Sequence, residues 1–137
     1  MSGVRLEGCA DEAALGRVQR FEDLIAWQKA RTLNSRIYAL TKTGPLARDF
    51  SLKDQLRRAA TSIMGNIAEG FERHGLKEFH RFLCITKASA GEVRSHLYVA
   101  LDAGYINEEP FQELYSACSE VGRIIGGLRA SIEGRIA

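Results

Sequence analysis

What the sequence lacks narrows its class before any motif is read. It holds two prolines in 137 residues, Pro45 and Pro110, so little in it interrupts long helices. Sustained alternation of apolar and polar residues is missing as well, which removes the usual strand signal. The three cysteines, Cys9, Cys84 and Cys118, are odd in number and far apart, with no Cys-x-x-Cys spacing. That indicates neither a disulfide framework nor a zinc site, and fits free thiols in a reducing cytosol. No apolar run approaches the roughly 18 residues of a membrane span. The opening stretch MSGVRLEGCADEAALGR lacks the basic-then-apolar order of a secretion signal. The expectation is a cytoplasmic protein away from membranes, with residues 1–20 as a flexible N-terminal arm and residues 21–137 as one domain.

Catalytic motifs are equally scarce. There is no His-Glu-x-x-His and no Gly-x-Ser-x-Gly, and the stretch from Gly65 to Gly70 lacks the Lys-Ser/Thr of a phosphate loop. A bundle with a di-metal carboxylate core needs inward Glu-x-x-His pairs, and none occurs. Glu92 and His96 stand one helical turn apart, but two ligands do not close a metal site. The sequence therefore reads as non-enzymatic, with no metal and no cofactor.

What is present is helical periodicity. Ala26, Ala30, Leu33, Ile37 and Leu40 recur at spacings of 4, 3, 4 and 3 within a first helix over about 22–42. TGPLARDF, with Gly44 and Pro45, breaks it. A second helix starts after Ser51 as N-cap and buries Leu56, Ala59, Ile63, Ile67 and Phe71, ending where Gly75 takes the left-handed conformation. A third runs over about 76–103 with Phe79, Phe82, Thr86, Ala90, Val93, Leu97 and Ala100 inward, until Gly104 stops it. In the fourth, with Pro110 in its first turn, Phe111, Leu114, Cys118, Val121, Ile125, Leu128 and Ile132 keep an unbroken inward register. Short connections between four amphipathic helices make neighbours antiparallel. The fold class is all-α, an antiparallel up-down-up-down four-helix bundle.

Several residues of the second helix fit this stripe poorly. Asn66 falls at its edge, a half-buried amide expected to hydrogen-bond across the bundle. Gly65 points nearly opposite the core, where glycine costs about 1 kcal/mol against alanine. Either it is tolerated there or a second subunit approaches it, and Gly122 and Gly126 in the fourth helix repeat the pattern of small residues one turn apart.

The stretches FEDLIAWQKA, QLRRAATSIMGNIAEGF, KEFHRFL and ITKASAGEVRSHLYVALDAGYI, in this order, carry a resemblance. They are similar to the bacterial four-helix bundle family first noticed as open reading frames in intervening sequences of 23S ribosomal RNA genes. The resemblance implies short bundles assembled as homopentamers. A distant relative of that family is the accessory protein of diversity-generating retroelements, a basic pentamer that binds nucleic acid and a reverse transcriptase. Met64-Gly65 and His74-Gly75 depart from the family pattern, which concerns the end of the second helix more than the core.

Charge supplies the functional hint. The net charge is +2, yet residues 24–100 carry thirteen Lys/Arg against six acids, while both flanking segments are acidic. Beside the core stripe of the third helix, His80, Cys84, Lys87, Gly91, Arg94 and Tyr98 form a basic face ending in a ring. Trp27, Arg31, Asn34 and Tyr38 do the same on the first helix, and Lys53, Arg57 and Arg58 add charge to the second. Cations interleaved with rings suit phosphates and bases; they also suit subunit contacts. Asp54–Arg58 and Glu69–Arg73 are spaced for local ion pairs; Arg57 has within one turn only Asp54, which is also spaced for Arg58, and is left for an outside partner.

Two readings stand. In one, a homo-oligomer binds RNA or DNA, with Arg57, Arg58, Lys87, Arg94 and Arg31 on phosphates and Trp27 or Tyr98 stacking. In the other, the same faces form a protein interaction scaffold joining subunits, a reverse transcriptase or another protein partner, without nucleic acid.

Overall fold

The computed structural model of the chain describes residues 18–136. Cys9 and most of the expected N-terminal arm lie outside the described residues. Val18 is already buried in the core, three residues before the expected start of the domain.

A single 3-10 turn, Phe21–Asp23, precedes α1 (Ile25–Leu40). Then come a short α2 (Gly44–Arg48), α3 (Phe50–Glu72), α4 (Leu76–Asp102) and α5 (Glu108–Ile136). Described residues are helical or in turns, with no strand. The apolar stripes form one core: every inward position expected of α5, from Phe111 to Ile132, is buried, as are Leu56, Ile63 and Ile67 of α3. Each fully buried Leu or Ile contributes about 1.5–3 kcal/mol relative to exposure.

Helix direction follows from which residues meet. Asn34 meets Thr61, and Thr41 meets Arg57, so α1 and α3 are antiparallel. Ser62 meets Ser89 and Phe71 meets Phe79, so α3 and α4 are too. His80 meets Glu133, Lys87 meets Gly122, and Tyr98 meets Phe111, which reverses α5 against α4. Lys29 pairs with Glu120 and Arg36 with Glu113, closing α5 back onto α1. The result is an up-down-up-down bundle in which α1 and α4 lie on one diagonal and α3 and α5 on the other.

Three helix boundaries differ from the expectation, each for a local reason. The TGPLARDF break contains a helix of its own, because Pro45 in a first turn is pre-set for helix rather than against it. Asp49, not Ser51, caps α3: its Oδ1 accepts from the Leu52 N–H at 3.1 Å while Oδ2 accepts from Tyr105 Oη at 3.0 Å. One carboxylate thus starts α3 and anchors the α4–α5 turn. At the other end His74, with φ of 57°, takes the left-handed position, and Gly75 is extended as the N-cap of α4. Histidine tolerates that region better than most side chains.

Asn66 is also corrected. Its Nδ2 donates to Ser62 O and Ser62 Oγ, at 2.8 and 2.9 Å within its own helix. The bond across the bundle belongs to Ser62, whose hydroxyl lies 2.9 Å from that of Ser89. Gly65 is exposed, with open space where a Cβ would project. Gly122 likewise has open space where a Cβ would project, while its carbonyl accepts from Lys87 Nζ at 3.3 Å; only Gly126 faces α4 of the same chain, with Lys87 Nζ 3.6 Å from a Cβ built on it.

Cys118 is wholly buried and its thiol donates to Ala90 O at 3.2 Å. Burial pushes this thiol up to about 11, against 9.0 for a free group. The neutral form is the one the fold stabilises, so this contribution is intact below pH 9 and is lost as pH rises toward 11. The difference in urea stability between the wild type and Cys118→Ala should therefore shrink across that window, whereas an unchanged difference would contradict the burial effect.

Candidate nucleic-acid interface

The seven residues expected to touch nucleic acid fall on two opposite sides of the bundle. Trp27, Arg31 and Arg57 line the seam where α1 packs on α3, with Arg58 on the outer side of α3. Lys87, Arg94 and Tyr98 line the seam of α4 with α5, across the molecule. No single face of one chain therefore carries all seven.

The α4–α5 seam is largely engaged internally. Tyr98 packs on Phe111 and Tyr115, with ring centroids 4.9 and 5.6 Å away, and Arg94 lies over the Tyr115 ring at 6.0 Å. The Tyr98 hydroxyl is shifted upward first by its hydrogen bond to Tyr115. His80 is held by Glu133 and Lys87 by Gly122 O. Spacing on α4 marked this as a face; α5 covers part of it, while Lys87 and the Tyr98 ring, 48% exposed, stay at the surface.

On the α1–α3 seam Arg57 corrects the expectation of an outside partner. Its Nε donates to Thr41 Oγ1 at 2.8 Å, its Nη2 donates to Tyr38 O at 3.4 Å, and its guanidinium lies 4.3 Å from the Tyr38 ring centroid. Thr41 in turn donates to Ile37 O at 2.8 Å and is fully buried. A cation thus closes the C-terminal end of α1, where the helix dipole favours positive charge. Arg57→Ala should cost about 1.5–3 kcal/mol in urea unfolding, the range for hydrogen bonds to charged groups, with Arg57→Lys recovering only part because it cannot make the forked contact. A loss below about 0.5 kcal/mol would show that this closure contributes little.

Around Arg57 lies the feature that sequence reasoning only half found. Among the described residues Arg31, Lys42, Arg48, Lys53 and Arg57 form no ion pair with a carboxylate. Arg58 is different, since it pairs with Asp54 at 2.9 Å, and Glu69 with Arg73 completes the second expected pair. Lys42 and Arg48 stand on the α1–α3 connection, and Lys53 in the first turn of α3 lies 5.0 Å from the Phe50 ring centroid. Phe50 is 72% exposed and Tyr38 39% exposed. Farther down the seam Trp27 packs edge-on to Phe21 at 5.2 Å, with Arg31 over its ring at 5.7 Å. Phe50, Lys42 and Arg48 were missed because they sit in or beside the short segment taken as a break. Its composition, TKTGPLARDF with two basic residues and a terminal aromatic, was the available signal.

The side where α1 meets α5 offers a contrast. A shallow cleft of about 310 Å³ there includes Lys29, Arg36 and Glu120, but its cations are consumed by Glu120 and Glu113 at 3.3 and 3.8 Å. Among the described residues no group of three His, Cys, Asp or Glu side chains converges to hold a metal ion. No described helix is long and apolar enough to cross a membrane.

These features define an all-α bundle protein with cations outside ion pairs and exposed rings on two seams: Arg31, Lys42, Arg48 and Lys53 with Tyr38 and Phe50 along α1 and α3, and Lys87 and Arg94 with Tyr98 on α4. The chain belongs to the 23S rRNA-intervening sequence protein family, which it matches over residues 22–127. That span takes in α1 to α4 and most of α5. A similar solved structure is a protein of unknown function from the S23 ribosomal protein family of Bacteroides thetaiotaomicron VPI-5482, with a TM-score of 0.70 and 21% identity, covering 77% of this chain and 98% of that one. At this identity the likeness carries the fold. A search of curated proteins finds no match.

Proposed function

We propose that the protein is a non-enzymatic, homo-oligomeric binder of single-stranded RNA that works in the cytoplasm through the α1–α3 seam. The observation that carries this reading is that Lys42, Arg48 and Lys53, unpaired with acids, stand along the α1–α3 connection between the exposed rings of Tyr38 and Phe50, with Arg31 over Trp27 farther back on α1. Cations on phosphates and rings on unstacked bases are the two ingredients of single-strand binding. Arg57 has a different part: it holds the Tyr38 ring in place rather than reaching outward. Lys87, Arg94 and Tyr98 support the opposite seam and serve RNA only where a neighbouring subunit brings that seam alongside. Gly65, exposed and with room above it, is the position open to a neighbouring copy, and a pentameric ring is what the resemblance implies.

The test is a fluorescence-anisotropy titration of a labelled single-stranded RNA, with single-stranded and duplex DNA as parallel arms, at several salt concentrations. Light scattering on the same samples gives the particle mass. Log affinity for RNA should fall linearly with log salt, with a slope of about 3 from four to five phosphate contacts at about 0.7 each. Absence of binding at low salt would remove this reading and leave the seam as a protein-docking surface.

A further inference from the structure

On the α4–α5 seam three side chains are arranged in an order that RNA binding does not use. Glu133 Oε2 lies 2.8 Å from His80 Nε2, and His80 Nδ1 lies 3.8 Å from Cys84 Sγ. An ionised carboxylate only accepts, so it holds the proton on Nε2 and leaves Nδ1 of the neutral ring as an acceptor facing the thiol. His80 and Cys84 are one turn apart on α4, and Glu133 comes from α5, so the packing of two helices assembles the relay. Lys87 follows Cys84 by three residues, with its ammonium on the same seam at Gly122 O.

We infer that Cys84 is a base-assisted nucleophilic thiol, a modification site for small hydroperoxides. His80 takes the thiol proton at Nδ1, with Glu133 stabilising the charged ring. The sulfur attacks the terminal oxygen of the hydroperoxide; the S–O bond forms as the O–O bond breaks. The leaving alkoxide takes the proton from His80 and departs as the alcohol, or as water from hydrogen peroxide. Sulfur loses two electrons, the peroxide gains two, and the product is a sulfenic acid. Cys84 is half-buried and so open to a small reagent, unlike Cys118, which is wholly buried and donates to Ala90 O. A thiol facing a histidine that a carboxylate orients is the setting for base-assisted nucleophilic attack.

The experiment treats the full chain with hydrogen peroxide in the presence of dimedone and follows sulfenic acid at each cysteine by peptide mass spectrometry. Cys84 should be labelled at least about 10-fold faster in the folded chain than in urea, with Cys118 silent until unfolding. Glu133→Gln, which keeps the exposed position and an acceptor oxygen, and His80→Ala should both bring Cys84 to the unfolded rate. Helix content by circular dichroism confirms that each variant is folded. Equal rates in the folded and unfolded wild type, or unchanged rates in folded Glu133→Gln, would overturn the assignment. The RNA titration is a separate readout, so either result can fail alone.

Discussion

Replacing Lys42, Arg48 and Lys53 together by alanine should weaken single-stranded RNA binding by about 100-fold at about 0.1 M salt, because each lost phosphate contact removes about 0.7 of a released counterion and is worth about fivefold there. The salt slope should fall by about 2 in the same protein. Stability should change little: Lys42 and Arg48 are exposed, Lys53 contacts only an exposed ring, and such surface substitutions stay within about 0.5 kcal/mol each. Lys87→Ala on the opposite seam is the control, since its ammonium is already engaged with Gly122 O. An affinity loss without a change in slope would mean that the three residues act through shape or assembly rather than through phosphates. Equal losses from both seams would mean that a single strand passes between neighbouring subunits.

The second large effect concerns Gly70, where α3 and α4 come closest. A Cβ built there would lie 2.6 Å from Phe82 Cβ and 3.2 Å from Phe79 Cδ1. The Cβ of Phe82 is fixed to its backbone and cannot swing aside, so the helices themselves must separate. Overpacking of this kind costs about 1–3 kcal/mol or more and outweighs the roughly 1 kcal/mol that alanine gains over glycine in a helix. Gly70→Ala should therefore destabilise the bundle by about 2 kcal/mol, lowering Tm by about 5–10 °C. Gly65→Ala, five residues earlier on the same helix with open space above it, should go the other way and stabilise by up to about 1 kcal/mol. A Gly65→Ala protein that instead loses particle mass would place that residue in a subunit contact. If Gly70→Ala matches the wild type, the close approach is softer than its geometry implies.

The glycine pair also shows what the sequence makes legible. Helical period alone separates inside from outside, which is why Phe111 through Ile132 could be assigned to the core and Gly65 to the surface. It does not reveal which helix stands opposite, and that is where Gly70 acquires its role against Phe82. The same limit explains Arg57. That its one acid within a turn, Asp54, is also spaced for Arg58 is visible in the sequence, whereas its bond to Thr41 depends on α3 returning beside the end of α1. The stripe from His80 to Tyr98 has the right spacing for a face, yet only the placement of α5 shows that much of this face is a seam. Capping choices turned on similarly distant partners. Asp49 wins over Ser51 because Tyr105, from the α4–α5 turn, uses the second carboxylate oxygen. The basic cluster was missed in part because the Gly44-Pro45 pair drew attention to the chain break and away from the cations flanking it.

The most direct test of the α1–α3 seam is ultraviolet crosslinking of the wild-type protein to a uridine-rich single strand, with the crosslinked peptides identified by mass spectrometry. The account predicts crosslinks at Phe50 and Tyr38, with Trp27 next, and their loss together with binding in the Lys42, Arg48 and Lys53 variant. Crosslinks confined to Tyr98 and Tyr115 on the opposite seam, or none at concentrations where binding is saturated, would contradict it.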